Sequence, residues 1–211
     1  MGMAPRARRT CGGTRGTTLL AWYACCSHQG SKTKKEQAMV MTAAEAISAT
    51  PTRNLKAAAK SSGLRGIFLR LVQEHGELTA LLLRLRMSPD VATRVELFPI
   101  VRAELLSHER AEAEVLFSAM RRKEQTRLIA VKHKRTSGEL ASLLYQLESL
   151  DYASPSWEGG FTLLFNTVEQ HMIEEESYYF PIAQRVLGDT VTHALRALYD
   201  DSHDALLSHA F

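Results

Sequence analysis

The chain has 211 residues, about 45% of them hydrophobic and 23% charged, which suits one well-cored domain and leaves no need for two. Its formal charge of +3 divides unevenly: residues 1–60 carry ten Lys/Arg against two Asp/Glu, and residues 61–211 carry sixteen against twenty-one. The basic character therefore belongs to the leader, and a nucleic-acid-binding role for the folded part is not expected.

The three cysteines, Cys11, Cys25 and Cys26, all lie in that leader. An odd number in a segment with little to fold around argues against a disulfide framework. No stretch approaches the roughly 18–20 apolar residues of a membrane span, and the Leu19 to Ala24 run is short even for a signal-peptide core. Residues 1–38, rich in Gly, Thr, Arg and Lys without a sustained period, read as disordered. A transit peptide, a poor lipoprotein site at Ala24-Cys25-Cys26 and a misassigned start are competing readings; Met39 and Met41, which open a more ordinary sequence, favour the last. Residues 42–60 read as a linker or frayed helix, so the leader and linker together span 1–60. With no clear address, the expected location is the cytoplasm, with no membrane partner.

From Leu64 the pattern becomes helical. Leu64, Phe68, Leu71, His75, Leu78, Leu82 and Leu85 recur at spacings of four and three, stopping at Met87-Ser88-Pro89-Asp90. A second seam runs Phe98, Val101, Leu105, His108, Glu112, Val115, Ala119 and ends at the charged, solvated turn Arg121-Arg122-Lys123-Glu124. The third is Ile129, His133, Thr136, Leu140, Leu143, Leu147, Leu150, before Ser154-Pro155-Ser156. The fourth is Phe161, Leu164, Val168, His171, Glu175, Tyr178, Ile182. These predict an all-α, antiparallel up-down four-helix bundle over 61–188. Residues 189–211, with Val191, Leu195, Leu198, Leu206 and Leu207, predict an added C-terminal amphipathic helix that covers the bundle or meets a partner. Trp157, Tyr145 and Tyr178 read as packing residues, with a hydrogen bond to a ligand as the alternative for Tyr178. His193, His203 and His209 read as surface histidines.

Each seam is interrupted by a histidine, and two also by a glutamate. A buried carboxylate without a partner costs several kcal/mol, and the seams hold no Lys or Arg to offset Glu112 and Glu175. A metal ion meets that need. In an up-down bundle, residues equidistant from a turn share a height. The midpoints of His75/His108, His108/His133 and His133/His171 fall at Val91–Ala92, Met120–Arg121 and Tyr152, each at a predicted turn, so the four histidines occupy one layer. Glu112 and Glu175 lie about 6 Å further along the same faces, a spacing suited to a pair of metals. The segment His108-x3-Glu112-x4-Phe117 recurs as His171-x3-Glu175-x4-Phe180, which predicts two related half-sites. Glu109, beside His108, is a further carboxylate candidate, but one residue out of register its expected place is in solvent.

At these residues, from about Leu64 to Leu187, the sequence resembles the hemerythrin-like (HHE cation-binding) domain family. The resemblance is carried by Glu74-His75, the run Leu105 to Phe117, His133, and the run Glu169 to Pro181 (EQHMIEEESYYFP). It implies two non-haem irons with His75, His108, His133 and His171 as terminal ligands and Glu112 and Glu175 as bridging carboxylates. Open positions are left for an oxo or hydroxo bridge and a small diatomic or peroxide ligand. Imidazole and carboxylate donors without thiolate suit Fe, Mn or Zn; structural zinc prefers closed sets, often with Cys, and ferritin-like centres use more carboxylates. The oxygen-carrying members have a His-x3-His pair on the third helix, where this chain has Ser137 after His133. The four-His, two-Glu set is similar to the branch linked to iron and redox sensing, nitric oxide stress and repair of iron centres. The expected function is a di-iron-binding protein that senses or handles O2, nitric oxide or peroxide, or carries iron. A di-iron enzyme, peroxidase-like or repairing iron centres, and a helical interaction module with a degenerate site are the alternatives. No dedicated acid or base stands in the seams, which favours a sensor or metal-binding protein over a catalyst.

Overall fold

A computed structural model of the chain describes residues 58–88 and 90–210. The readings made for residues 1–57 (leader, cysteines, alternative start, most of the linker) lie outside the described residues. The helices are α1 (Ile67–Arg86), α2 (Val91–Arg121), α3 (Glu124–Glu148), α4 (Pro155–Glu174), α5 (Phe180–Leu187) and α6 (Asp189–Ser208), with a π-helical turn, Glu175–Tyr179, joining α4 to α5. The described residues contain no strand, and none of their helices is long and apolar enough to cross a membrane.

Local chemistry sets the helix ends. Asp90 caps α2 by accepting from the Thr93 amide at 2.8 Å, satisfying one of the first-turn donors that a helix leaves unpaired. Ser154 does the same for α4 toward Trp157, with Pro155 in the first turn where its missing N–H costs nothing. Gly66, before α1, has φ 57°, and a Cβ there would lie 2.3 Å from the Thr192 carbonyl oxygen. Only glycine lets the start of α6 approach so closely.

Packing follows the seams. Consecutive long helices lie against one another, α4 returns to α1, and α6 lies on α1 and α2. Every member of the first seam is buried, as are Phe98, Val101, Leu105, His108 and Glu112 on α2. Each fully buried Leu or Phe contributes roughly 1.5–3 kcal/mol, so the seams supply the cohesion that can hold polar groups in the middle.

Two seams depart from expectation. On α4 the pattern holds to Glu175 and then shifts: Tyr178 is 58% exposed while Tyr179, Phe180 and Ala183 are buried. The π turn, whose i→i+5 bonds take one residue more per turn, advances the stripe by one position. Tyr178 is therefore not a core residue. On α6, Val191 and Leu198 are exposed, and the buried face is Thr192, Leu195, Tyr199 and His203. That face is partly polar because, as shown next, it meets charged groups.

Candidate metal centre

Halfway along the helices, α1, α2, α3 and the end of α4 each turn one histidine inward. His75 is 2% exposed, His108 1%, His133 0% and His171 5%, and Glu112 and Glu175 are fully buried among them. The donor atoms form two overlapping groups, His75–His108–Glu112–Glu175 and Glu112–His133–His171–Glu175, within each of which they lie no more than 4.8 Å apart. Glu112 and Glu175 belong to both. The Nε2 of His75 lies 3.4 Å from Glu175 Oε2, and that of His133 lies 3.4 Å from Glu112 Oε2 and 3.2 Å from Glu175 Oε1. His171 Nε2 is 3.2 Å from Glu175 Oε1, and His108 Nε2 is 3.9 Å from Glu112 Oε2.

These approaches lack hydrogen-bond geometry. The Nε2 atoms of all four histidines and both oxygens of Glu112 and of Glu175 are buried without a hydrogen-bond partner. Each such atom costs about 1–3 kcal/mol when left unpaired, so eight convergent ones are costly unless cations, whether bound ions or protons, occupy their centre. The donor set, nitrogen and carboxylate without sulfur, fits one or two divalent metal ions.

The electrostatics agree. Burial opposes charge on His171, yet the Glu175 and Glu109 carboxylates outweigh it and push the imidazole up to about 12. Burial likewise opposes His133 and His108, which Glu112 and Glu175 in the first case and Glu74 and Glu112 in the second lift to about 9. Burial alone would raise Glu175, but His171 and His133 bring it well below the ordinary carboxylate range. Glu112 goes up, through burial and the charge of Glu175. A pocket that draws protons this strongly is a pocket for cations.

Around the centre stand further groups, one of them the carboxylate candidate Glu109. Glu109, expected in solvent, is 5% exposed, with Oε1 3.1 Å from His171 Nε2 and Oε2 3.7 Å from His133 Nε2. Its spacing of three from Glu112, which puts both on one helix face, was the available signal. Glu176 Oε1 accepts from His75 Nδ1 at 2.7 Å, and Glu74 Oε2 accepts from His108 Nδ1 at 3.0 Å. Phe117 stacks on His133 at 3.5 Å between centroids, and Phe180 lies on His75 at 5.8 Å. The repeat thus places an aromatic against one imidazole in each half.

His203, read as a surface histidine, is 6% exposed, with Nε2 3.9 Å from Glu104 Oε2 and 4.0 Å from Glu74 Oε1. Its polarity is tolerated because α6 covers the acidic outer side of His108, and no pattern within 189–211 shows what that helix meets. His193 and His209 are exposed. Ser137 is half-buried on α3. A cleft of about 300 Å³ between α3 and α4, lined by Thr136, Asn166, Gln170 and Glu174 among others, reaches His171.

Comparisons with curated proteins and with solved structures give no match. The family model described as the hemerythrin HHE cation binding domain matches residues 67–183, which hold all six seam ligand candidates and Glu109. Since that match covers more than half of the chain, and the cation-seeking layer lies inside it, the protein belongs to the hemerythrin HHE cation-binding family.

Proposed function

We propose that the chain is a non-haem di-iron protein of the sensing or handling kind, with α1, α2, α3 and α4 forming an antiparallel up-and-down bundle around the metal pair. His75 and His108 would hold one iron, His133 and His171 the other, and Glu112 and Glu175 would bridge them. The observation that carries this reading is the pair of overlapping donor groups sharing two carboxylates, with every inward nitrogen and oxygen unpartnered. An interaction module with a degenerate site would retain that cost without the compensating ion.

Bound iron would supply a redox couple and coordination positions for O2, nitric oxide or peroxide. The chain's own residues define the rest. Glu109 adds a carboxylate that faces the Nε2 atoms on the His133/His171 side, so that half has one more oxygen donor turned toward the centre. Glu176 and Glu74 hold the Nδ1 protons of His75 and His108, directing each Nε2 inward. The α3–α4 cleft gives a small polar ligand or an incoming ion a path to His171. Ser137 in place of a fifth imidazole leaves that side short of one nitrogen, which disfavours simple reversible O2 carriage and favours sensing or iron handling.

The deciding measurement is metal analysis with an optical spectrum on full-length protein made in iron-supplemented cells without chelator. About two irons per chain and near-ultraviolet bands of a bridged ferric pair are expected. A chain that holds no iron, and takes up no ferrous ion anaerobically, would overturn the reading.

A further inference from the structure

The family match ends at residue 183, before α6 begins, yet α6 sends one side chain into the surroundings of His108. Tyr199 is fully buried. Its hydroxyl donates to Glu74 Oε2 and its oxygen lies 3.0 Å from His108 Nδ1. With the phenolic hydrogen committed to Glu74, the oxygen lone pairs face the Nδ1–H of His108. Glu74 Oε2 accepts from the same Nδ1 at 3.0 Å. Two acceptors thus share one donor, which fixes the proton on Nδ1 and leaves the Nε2 lone pair pointing to the centre.

The arrangement is braced from both sides. Arg70 pairs with Glu74 on its own helix and donates to Asp200 Oδ1 at 3.0 Å, one residue beyond Tyr199. The Tyr199 ring stands edge-on to His108 at 6.4 Å between centroids, and its other side stacks on His203 at 5.9 Å. A tyrosine that merely filled space between helices would need one partner for its hydroxyl. This one is tied to a carboxylate and to an imidazole whose far nitrogen is a ligand candidate.

We propose that Tyr199 is a positioning residue of the metal centre: through Glu74 and its own oxygen it holds His108 in the tautomer and orientation that ligation needs, making α6 part of the site. The proposal rests on the reading of His108 as a ligand. It also specifies which half is affected, because the network touches His108 and none of its bonds reaches His133 or His171.

The test is anaerobic titration of the full chain with ferrous ion against a chromophoric chelator, resolving two binding steps. Tyr199→Phe keeps the ring and removes the hydroxyl, so one step should weaken about tenfold while the other is unchanged. Glu74→Gln should weaken the same step, and the double variant should lose less than the two single losses combined. Leu195→Ala, which removes buried packing from α6 one turn away, should lower the melting temperature and leave both steps unchanged. Wild-type constants in Tyr199→Phe, or equal weakening of both steps as a general loosening would produce, would overturn the proposal. A wild-type chain that takes up no ferrous ion would instead overturn the metal reading on which it stands.

Discussion

The two halves of the centre repeat in sequence and differ in surroundings. Around His75 and His108, hydrogen bonds from outside fix the rings: Glu176 on one Nδ1, Glu74 and Tyr199 on the other. Around His133 and His171 the support is of another kind. The Nδ1 of His133 is buried without a partner and its ring is clamped by Phe117, while Glu109 adds a carboxylate and the α3–α4 cleft reaches His171. One half is locked by its outer shell and covered by α6. The other is held by packing and charge and lies next to an opening. On the proposed di-iron reading, a duplicated ligand pattern would therefore give two metal positions that differ in affinity and accessibility.

The largest expected effect removes what the halves share. Glu175 lies within reach of His75, His133 and His171, so Glu175→Ala should abolish both metal equivalents. His108→Ala should leave the opposite half able to bind one. Metal-to-protein ratios after gel filtration measure this directly. Retention of one tightly held ion by Glu175→Ala would refute a shared bridge.

Next in size is Glu109→Gln. It should weaken the His133/His171 step roughly 10–100-fold and spare the step that Tyr199→Phe weakens, so that the two variants together separate the halves. If both variants acted on the same step, the halves would not be independent.

That separation was only half legible in the sequence. The four inward histidines, the two carboxylates and their common layer followed from seams of period 3.6 and from turn positions, because bundle geometry converts sequence spacing into height. Glu74, Glu176 and Glu109 were visible as residues, but their roles depend on the rotation of each helix by tens of degrees, finer than periodicity resolves. Tyr199 and His203 were hidden for a different reason: a contact between α6 and α1 spans more than a hundred residues, and the pattern of α6 does not name its neighbour. The π turn after Glu175 left no periodic signature at all.

A further expectation concerns the metal-free protein. His133 and His108 are raised to about 9 and His171 to about 12 from an ordinary 6.5, so the folded state holds protons that the unfolded chain releases. Their contribution to stability is fully present below pH 6.5 and is lost as pH rises through about 9 for His133 and His108 and through about 12 for His171. Glu104, raised to about 7 by burial and by Glu74 and Glu77, adds to the decline between 4.5 and 7. Glu109, which burial would raise but His171 and His133 hold down to about 2, contributes above 4.5 and loses that only as pH falls toward 2. His203, lowered by burial, opposes the trend below 6.5 as a single group. The melting temperature of chelated protein should therefore decline from pH 6.5 to pH 9. With metal on the Nε2 atoms in place of protons, the loaded protein should be flatter over that window. A metal-free melting temperature that climbed from 6.5 to 9 would show that the carboxylates do not hold those protons.

The smallest effect is expected at Tyr178, where the difference between the halves has its local cause. Between Glu112 and Phe117 the helix is regular, whereas the corresponding stretch from Glu175 to Phe180 contains the π turn. That turn presents Glu176 to His75 Nδ1 and lays Phe180 on the same ring; it also exchanges the exposures of two adjacent tyrosines. Tyr178, 58% exposed, should tolerate alanine with a change of about 0.5 kcal/mol or less. Tyr179, 1% exposed, should lose about 3–5 kcal/mol on the same substitution, as large buried aromatics do. Denaturant melts of the metal-free variants give both values. A regular α-helix through this stretch would invert the order, bury Tyr178 and turn Glu176 away from His75, so His75 would lose the hydrogen bond that fixes its Nδ1.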